Sequence, residues 1–383
     1  MSDRRAEERL ARAALTRVAE PAEPGIVRAV VRQGALTTWD QVRSGAEVPG
    51  VSGDLMAAVR ARLPHDPRRD LEVLERVGGR FLIPGDDEWP ARLGDLGERL
   101  PIGLWVCGPA SLADTARSVA IVGSRAATSY GDHVASDLAY DLTSRGWLVV
   151  SGGAYGIDGA AHRGALGADG ETIAVLACGV DVAYPRGHER LFDRIRSTGA
   201  IVSEWPPGCA PMRHRFLTRN RVIAAMTSGT VVVEAGARSG ARTTAKEARL
   251  IDRPLMAVPG PVTSALSVGC HQMLRQEGVR CVTSAAEIIE ELGRIGELAP
   301  LPRGAVGPRD DLSPQLRRVL EAVPKQRGAT PEAIARTAGI SALDVRLALA
   351  QLVAAGFVVM APGGWRLAGG RTSHSARPSL FDD

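Results

Sequence analysis

The chain is nearly without lysine. Of the 47 basic residues among its 383 amino acids, only Lys246 and Lys325 are lysines. A genome-wide codon bias produces that as readily as selection for phosphate-gripping guanidinium forks, so the arginine total says nothing and only arginine placement is informative. Cysteine is scarce too. Cys107, Cys178, Cys209, Cys270 and Cys281 stand singly and in odd number, with no Cys-x-x-Cys pair and no histidine cluster. That argues against a disulfide framework or a metal site and for idle thiols in a reducing compartment. Apolar runs never approach the roughly 18 residues of a membrane span, and the start from Met1 to Arg12 is charged. A cytoplasmic protein with no membrane partner is expected.

Familiar catalytic and nucleotide signatures are missing as well. No His-Glu-x-x-His, no three-ligand metal cluster and no Ser-His-Asp set is evident, and no phosphate loop ending in Gly-Lys-Ser/Thr occurs. ATP hydrolysis is therefore unsupported, and no catalytic residue, metal or cofactor is assigned. What is present is ordinary globular material: 45% hydrophobic, 23% charged, net charge +4. That is enough for two or three domains with at least one large core, and the mild basic excess favours an acidic partner without demanding one.

Residues 1–75 read as a small helical domain, with helices near Gly25 to Gln33, Thr37 to Arg43 and Ser52 to Leu63, the last with Ser52 as N-cap. From Val119 the pattern changes to apolar runs alternating with helical stretches. The runs are Val119 to Val122, Trp147 to Val150, Thr172 to Leu176, Ala200 to Ser203, Thr230 to Val233, Leu255 to Val258 and Val279 to Val282. Six or seven such units make a doubly wound, mostly parallel α/β sheet within a core of residues 76–295, with its ligand crevice at the C-terminal strand ends. Residues 296–311 are Pro- and Gly-rich and read as a linker. Residues 312–368 hold three capped helices and an apolar hairpin, the winged-helix pattern, and residues 369–383 read as a disordered polar tail.

Five turns, most of them directly after an apolar run, suggest one surface for a polyanion backbone. Gly123-Ser124-Arg125 sits where the first run turns into a helix, so its amides and hydroxyl can meet an anion and Arg125 can fork onto it. Ser151-Gly152-Gly153 follows the second run in place of the acidic residue that a dinucleotide ribose needs, which disfavours an NAD enzyme. Tyr184-Pro185-Arg186 and Arg219-Asn220-Arg221 bracket a stretch holding eight arginines, with Trp205 and Phe216 among them, a mixture of cations and stacking surfaces suited to single strands. Ser239, Gly240, Thr243 and Thr244 open another helix and form a plausible phosphate cradle. Asp158 and His162, four apart at a helix start, read as a cap with a histidine packed behind it.

These strings occur in a fixed order: Ile121 to Arg125, Ser151 to Asp158 with Ala161-His162, Gly179 to Pro185, Ser203-Glu204, Phe216 to Ile223, Val233-Glu234 with Ser239-Gly240 and Thr244-Ala245, then Val258-Pro259-Gly260. With Trp89-Pro90, Leu93 and Pro101 to Gly108 upstream, residues 80–292 resemble the DNA-processing protein A family, DprA or Smf. The resemblance implies an extended Rossmann-like core that binds single-stranded DNA without sequence preference, dimerises and helps load the RecA recombinase in natural transformation, with no reaction. By matching motif, Arg125 and its neighbouring glycine would hold phosphate, Arg186 would supply the cation after Tyr-Pro, and Arg219, Asn220 and Arg221 would line the same pocket. Ser151-Gly152-Gly153-Ala154 departs from the usual Ser-Gly-Leu-Ala, and Ser239-Gly240-Ala241 from Ser-Gly-Ser.

The winged-helix segment suits protein contact better than base reading, since its third helix offers little beyond Asp344, Arg346 and Gln351. The closing Pro378-Ser379-Leu380-Phe381 faintly resembles the peptide that hooks proteins onto the replication sliding clamp. Two other readings compete. One is a Rossmann-like nucleotide phosphoribohydrolase using Glu204, Glu234 or Glu247; the other is a winged-helix transcription regulator with a ligand-sensing core.

Overall fold

Short runs of β-branched and aliphatic residues, apolar on both faces, form the middle of the sheet because helices cover both of its sides. The computed structural model describes residues 2–63, 66–293 and 312–368, so the expected linker, tail and clamp-like peptide lie outside the described residues. Among those described, the strands are β1 (Gly79–Leu82), β2 (Leu104–Cys107), β3 (Ser118–Val122), β4 (Leu148–Ser151), β5 (Thr172–Leu176), β6 (Ala200–Ser203), β7 (Thr230–Val232), β8 (Leu255–Ala257) and β9 (Val279–Cys281). They form one nine-stranded sheet in the order β1-β2-β6-β5-β4-β3-β7-β8-β9. All pairings from β6 to β9 are parallel, as the runs predict. β1 and β2 are antiparallel additions at one edge, missed because they lie outside the alternation of apolar runs with helices that marks the parallel strands.

β3 lies between β4 and β7, so the chain winds outward from β3 to β6, returns, and winds the other way to β9. A crevice opens where two such windings part. The covering helices are α6 (Ser129–Ser144), α7 (Ile157–Gly167), α8 (Glu189–Thr198), α9 (Arg213–Met226), α10 (Ala241–Leu250), α11 (Val268–Leu274) and α12 (Ala285–Leu292), preceded by α1 (Ser2–Val18), α2 (Pro24–Gln33), α3 (Ala35–Ser44), α4 (Gly53–Arg60) and α5 (Pro67–Arg76). α7 packs against α6 through small residues; a Cβ on Gly164 would lie 2.1 Å from the Ser136 carbonyl oxygen. The first four N-terminal helices bury their own cluster around Leu15, Ile26, Val30 and Val42, α5 packs Leu74 into a cluster shared with the sheet, and all five belong to the same compact unit as the sheet. They are tied to it by Trp105 Nε1 donating to Thr16 Oγ1 at 3.3 Å and by Arg17 Nη2 donating to the Pro207 carbonyl, after β6, at 2.8 Å.

The second compact unit contains α13 (Pro314–Ala322), α14 (Pro331–Ala338) and α15 (Ala342–Ala354), followed by the antiparallel pair β10 (Val358–Ala361) and β11 (Gly364–Leu367). Each helix starts at the hydroxyl expected from sequence, with Ser313, Thr330 and Ser341 accepting from the amides of Leu316, Ala333 and Asp344. α14 stops at Gly339, whose φ of 65° is a left-handed cap. Val319, Ile334, Val345, Leu349, Leu352 and Val358 close the core.

Two buried polar groups hold the sheet unit together. Arg221 of α9 and Glu204, just after β6, are 2% and 3% exposed and form an ion pair, Arg221 Nη2 donating to Glu204 Oε1 at 2.7 Å. His162 of α7 is fully buried, its Nδ1 2.8 Å from Thr172 Oγ1. That hydroxyl donates to the Val149 carbonyl, so it accepts from His162 and leaves Nε2 as a buried, unpartnered lone pair. Burial, helped by His188, Arg219 and Arg163, pushes His162 down to about 3, so it is neutral in the fold.

Two outcomes follow from these groups. Glu204→Gln, which leaves Arg221 buried without its charge partner, is expected to cost about 3–5 kcal/mol in urea unfolding; a loss below about 1 kcal/mol would contradict the buried pair. His162 takes a proton in the unfolded chain below its ordinary pKa near 6.5, whereas the folded chain refuses it until about 3. Its contribution is therefore intact above 6.5 and declines as pH falls towards 3, by up to about 1.4 kcal/mol per pH unit. In His162→Gln that share of the acid-side slope should vanish, which urea melts at stepped pH will show.

Candidate functional site

At the parting of the two windings lies an open groove of about 740 Å³. Its walls are the turn after β3, the outer face of α9 with Tyr184, and the turn from Gly236 into α10. The β3 turn is fixed by close packing. A Cβ on Gly123 would fall 2.5 Å from Ile157 Cγ1 and 2.9 Å from the Glu234 carbonyl oxygen, so glycine is required there. The Ser124 amide donates to the Glu234 carbonyl at 2.7 Å, and the Ser124 carbonyl accepts from Ile157 at 3.2 Å. This corrects the expectation that the Ser124 amide meets an anion. The Glu234 carboxylate accepts from the Thr128 hydroxyl at 2.6 Å and the Thr128 amide at 2.9 Å, clamping the start of α6.

Arg125, next in the turn, is exposed. Its guanidinium carbon lies 4.6 Å from the centre of the Phe216 ring, and Tyr184 stands on Phe216 with ring centres 5.6 Å apart. A cation over one aromatic, with a second tilted beside it, leaves ring surface and donors together at the groove mouth. Arg213 and Arg238 are also exposed on the lining. Among the described residues, none of Arg125, Arg213 and Arg238 has a carboxylate within ion-pair distance.

The Arg219-Asn220-Arg221 triplet divides. Successive residues of a helix point about 100° apart, so three in a row cannot share one face. Arg219 is 4% exposed and forms part of the groove floor. Its Nη1 donates to the Gly152 carbonyl at 2.7 Å and to that of Val175, joining the ends of β4 and β5. Burial lowers its pKa to about 10 against the pull of Asp158, so it stays charged at neutral pH. Asn220 also lines the groove, its Oδ1 accepting from Arg219 Nε and its Nδ2 donating to the Gly240 carbonyl at 3.4 Å. Arg221 points the other way into its pair with Glu204, which corrects its expected place in the pocket.

Five further expected residues, Ser151, Gly152, Gly153, Arg186 and Thr243, lie off the groove. The Ser151 hydroxyl is buried and donates to the Ile121 carbonyl at 2.6 Å. The Gly152 and Ala154 amides donate to Asp158 Oδ2 at 3.1 and 3.4 Å, and Gly153, at φ 68°, packs against Phe192. That turn is thus internally satisfied, and only Ala154 and Asp158 from it reach the groove wall. Burial raises the Asp158 carboxyl, with Arg219 and the turn amides opposing. Arg186 is exposed at the start of a short 3-10 turn ending at His188, outside the groove lining. Ser239, Gly240 and Thr244 do line the groove, with no atom within 4 Å of where a Gly240 Cβ would stand. Thr243 instead faces a separate cavity of about 550 Å³ with Arg242, Lys246 and Arg249.

Of the carboxylates that a hydrolase reading needs, Glu204 is paired with Arg221, Glu234 holds α6, and Glu247 is paired with Arg99; none lines the groove. Sequence reasoning passed over Arg213, Leu217 and Arg238 as lining residues. The signal was available for α9, because Arg213, Phe216, Leu217, Asn220 and Ile223 follow helical one-face spacing.

The model of the family described as DNA recombination-mediator protein A matches residues 80–293. A Mycobacterium tuberculosis DprA relative is 48% identical over 92% of this chain and 92% of its own. The Escherichia coli protein Smf is 35% identical, covering 82% of this chain and 85% of its own. The crystal structure of DprA from Streptococcus pneumoniae superposes with a TM-score of 0.62 at 30% identity, over 73% of this chain and 95% of that one. The Helicobacter pylori DprA structure, reported for its single-stranded DNA binding mode, gives 0.51 at 28% identity over 56% and 95%. These matches bear out the resemblance read from the motifs and the α/β fold. The chain belongs to the DNA recombination-mediator protein A family, also known as DprA and Smf.

Proposed function

We propose that the groove binds single-stranded DNA without sequence preference and performs no reaction on it. Arg125, Arg213 and Arg238 take backbone phosphates, while Tyr184 and Phe216 offer faces to unpaired bases. The observation that carries this reading is the Arg125–Phe216–Tyr184 cluster at the groove mouth, where a cation and two rings stand together. Rings at that position suit bases that are not already stacked in a duplex, and the arginines supply attraction that any sequence feels equally. The start of α10 at Ser239 and Gly240 adds a helix N-terminus beside the arginines, a further favourable place for phosphate.

In this reading the chain acts in the cytoplasm as a dimer that shields a strand and helps load RecA, in natural transformation or homologous recombination. The family's description as a recombination mediator supports that role. The C-terminal unit is read as a winged helix that contacts protein. α15 exposes Leu343 and Leu347, and its Arg346 is paired with Glu332, a poor set for reading a duplex.

Titration of labelled single-stranded and double-stranded oligonucleotides across a salt series tests the reading. Single strands should bind more tightly, and affinity should fall steeply with salt. Arg125→Ala should weaken binding roughly tenfold for all sequences alike and flatten the log–log salt slope by about 0.7. Unchanged affinity in that variant, or preference for duplex, would overturn the assignment. Phe216→Ala removes a stacking face worth about 1–3 kcal/mol, so it should weaken binding while leaving the salt slope within about 0.2 of wild type.

A further inference from the structure

The first turn of α9, which presents Arg213 and Phe216 to the groove, is built against its own electrostatics. Arg213, His214 and Arg215 are consecutive there, the turn has no acidic residue, and its N-cap Met212 makes no side-chain capping bond. A helix N-terminus carries partial positive charge, so three basic residues and no cap make this a weak start. The missing negative charge comes from elsewhere in the chain. Glu20, in the loop after α1, receives Arg215 Nε at 3.1 Å and Nη2 at 2.7 Å, and Trp205 Nε1 at 3.1 Å. His214 Nε2 and Arg62 Nη1 lie 3.6 and 3.9 Å from the same carboxylate. Burial would raise this carboxyl, but the bonds from Arg215 and Trp205 hold it below its usual range. Arg215 is anchored further by donation to the Ala210 carbonyl at 2.9 Å and by its position 5.5 Å from the Trp205 ring centre.

We infer that Glu20 is a positioning residue for DNA binding: from the N-terminal helical segment it completes the first turn of α9 and so sets Arg213 and Phe216 in the groove. It touches no part of the groove lining except His214. The inference rests on the proposed role of the groove. Its sign is opposite to that of simple electrostatics, because deleting a negative charge close to a polyanion site would by itself tighten binding.

The test compares wild type, Glu20→Gln, Glu23→Gln and Arg125→Ala by titration with a labelled oligo-dT strand, together with amide hydrogen exchange of the full chain. Glu23 serves as a charge-only control in the same loop region, since no ion pair engages it among the described residues. Glu20→Gln is expected to weaken binding about three- to tenfold and to speed exchange in the first turn of α9, with protection in β3 to β5 unchanged. Glu23→Gln should bind as well as wild type or slightly better. Glu20→Asp, which keeps the charge on a shorter arm, should recover part of the affinity. Equal or tighter binding in Glu20→Gln, or unaltered exchange in α9, overturns the inference, provided Arg125→Ala still weakens binding. If Arg125→Ala also binds normally, the groove assignment itself fails. Protection lost throughout β3 to β5 would mean that Glu20 acts on the whole fold, which also overturns a positioning role.

Discussion

The attachment of α9 to the sheet is the constraint on which the groove depends. Arg219 enters the interior without a carboxylate in bonding contact and is met instead by the carbonyl oxygens of Gly152 and Val175 at the ends of β4 and β5. Arg221, two positions on, leaves the helix on another side and is neutralised by Glu204 after β6. A buried guanidinium missing its acceptors is costly enough that α9 cannot rotate or slide without exposing or orphaning one of them. Every α9 residue in a formed helical turn then has a fixed heading. Arg213, Phe216, Leu217 and Asn220 face the groove because Arg219 and Arg221 are held below it.

This division explains which parts were legible in the sequence. Apolar runs report strands because burial on both faces leaves little choice of residue, and all the parallel strands from β3 to β9 lie where the runs fall. Hydroxyl caps such as Ser52, Ser313 and Thr330 are equally direct, since one side chain satisfies one helix start. β1 and β2 lie outside the alternation of runs and helices that marks the parallel strands, although β2, Leu104–Cys107, is itself a buried apolar run. Each is four residues long, and their existence depends on β6 being present to pair with β2. The turn at Gly123 was legible as a turn, but its use of the Ser124 amide depends on Glu234 arriving from a strand more than a hundred residues later.

The site was legible in its location more than in its membership. An arginine written in a motif can be a ligand for phosphate or a rivet for the fold, and the string of letters is the same for both. Arg125, Arg219 and Arg221 illustrate the range: one exposed over an aromatic ring, one buried on carbonyls, one buried on a carboxylate. Helical phase sets Arg221 apart from the Phe216 face, whereas Arg219, three residues after Phe216, keeps that face and is distinguished by its burial on carbonyls. Thr243 and Thr244 at the start of α10 divide by phase as well.

Burying Arg219 and Arg221 also bears on why the groove mouth exposes so few cations. Fixing long side chains costs conformational entropy, and unshielded like charges on one wall repel. Spending two arginines on rigidity gives a framework in which Arg125, Arg213 and Arg238 can stand apart on three different elements without a compensating acid. Their mutual repulsion is tolerable because the turn, the helix and the loop that carry them are held by bonds to backbone carbonyls: the Ser124 and Glu234 backbone pair, the Arg219 carbonyl bridge and the Asn220 bond to Gly240. A strand that binds there meets charges already in place, so less of its binding energy goes into ordering the protein.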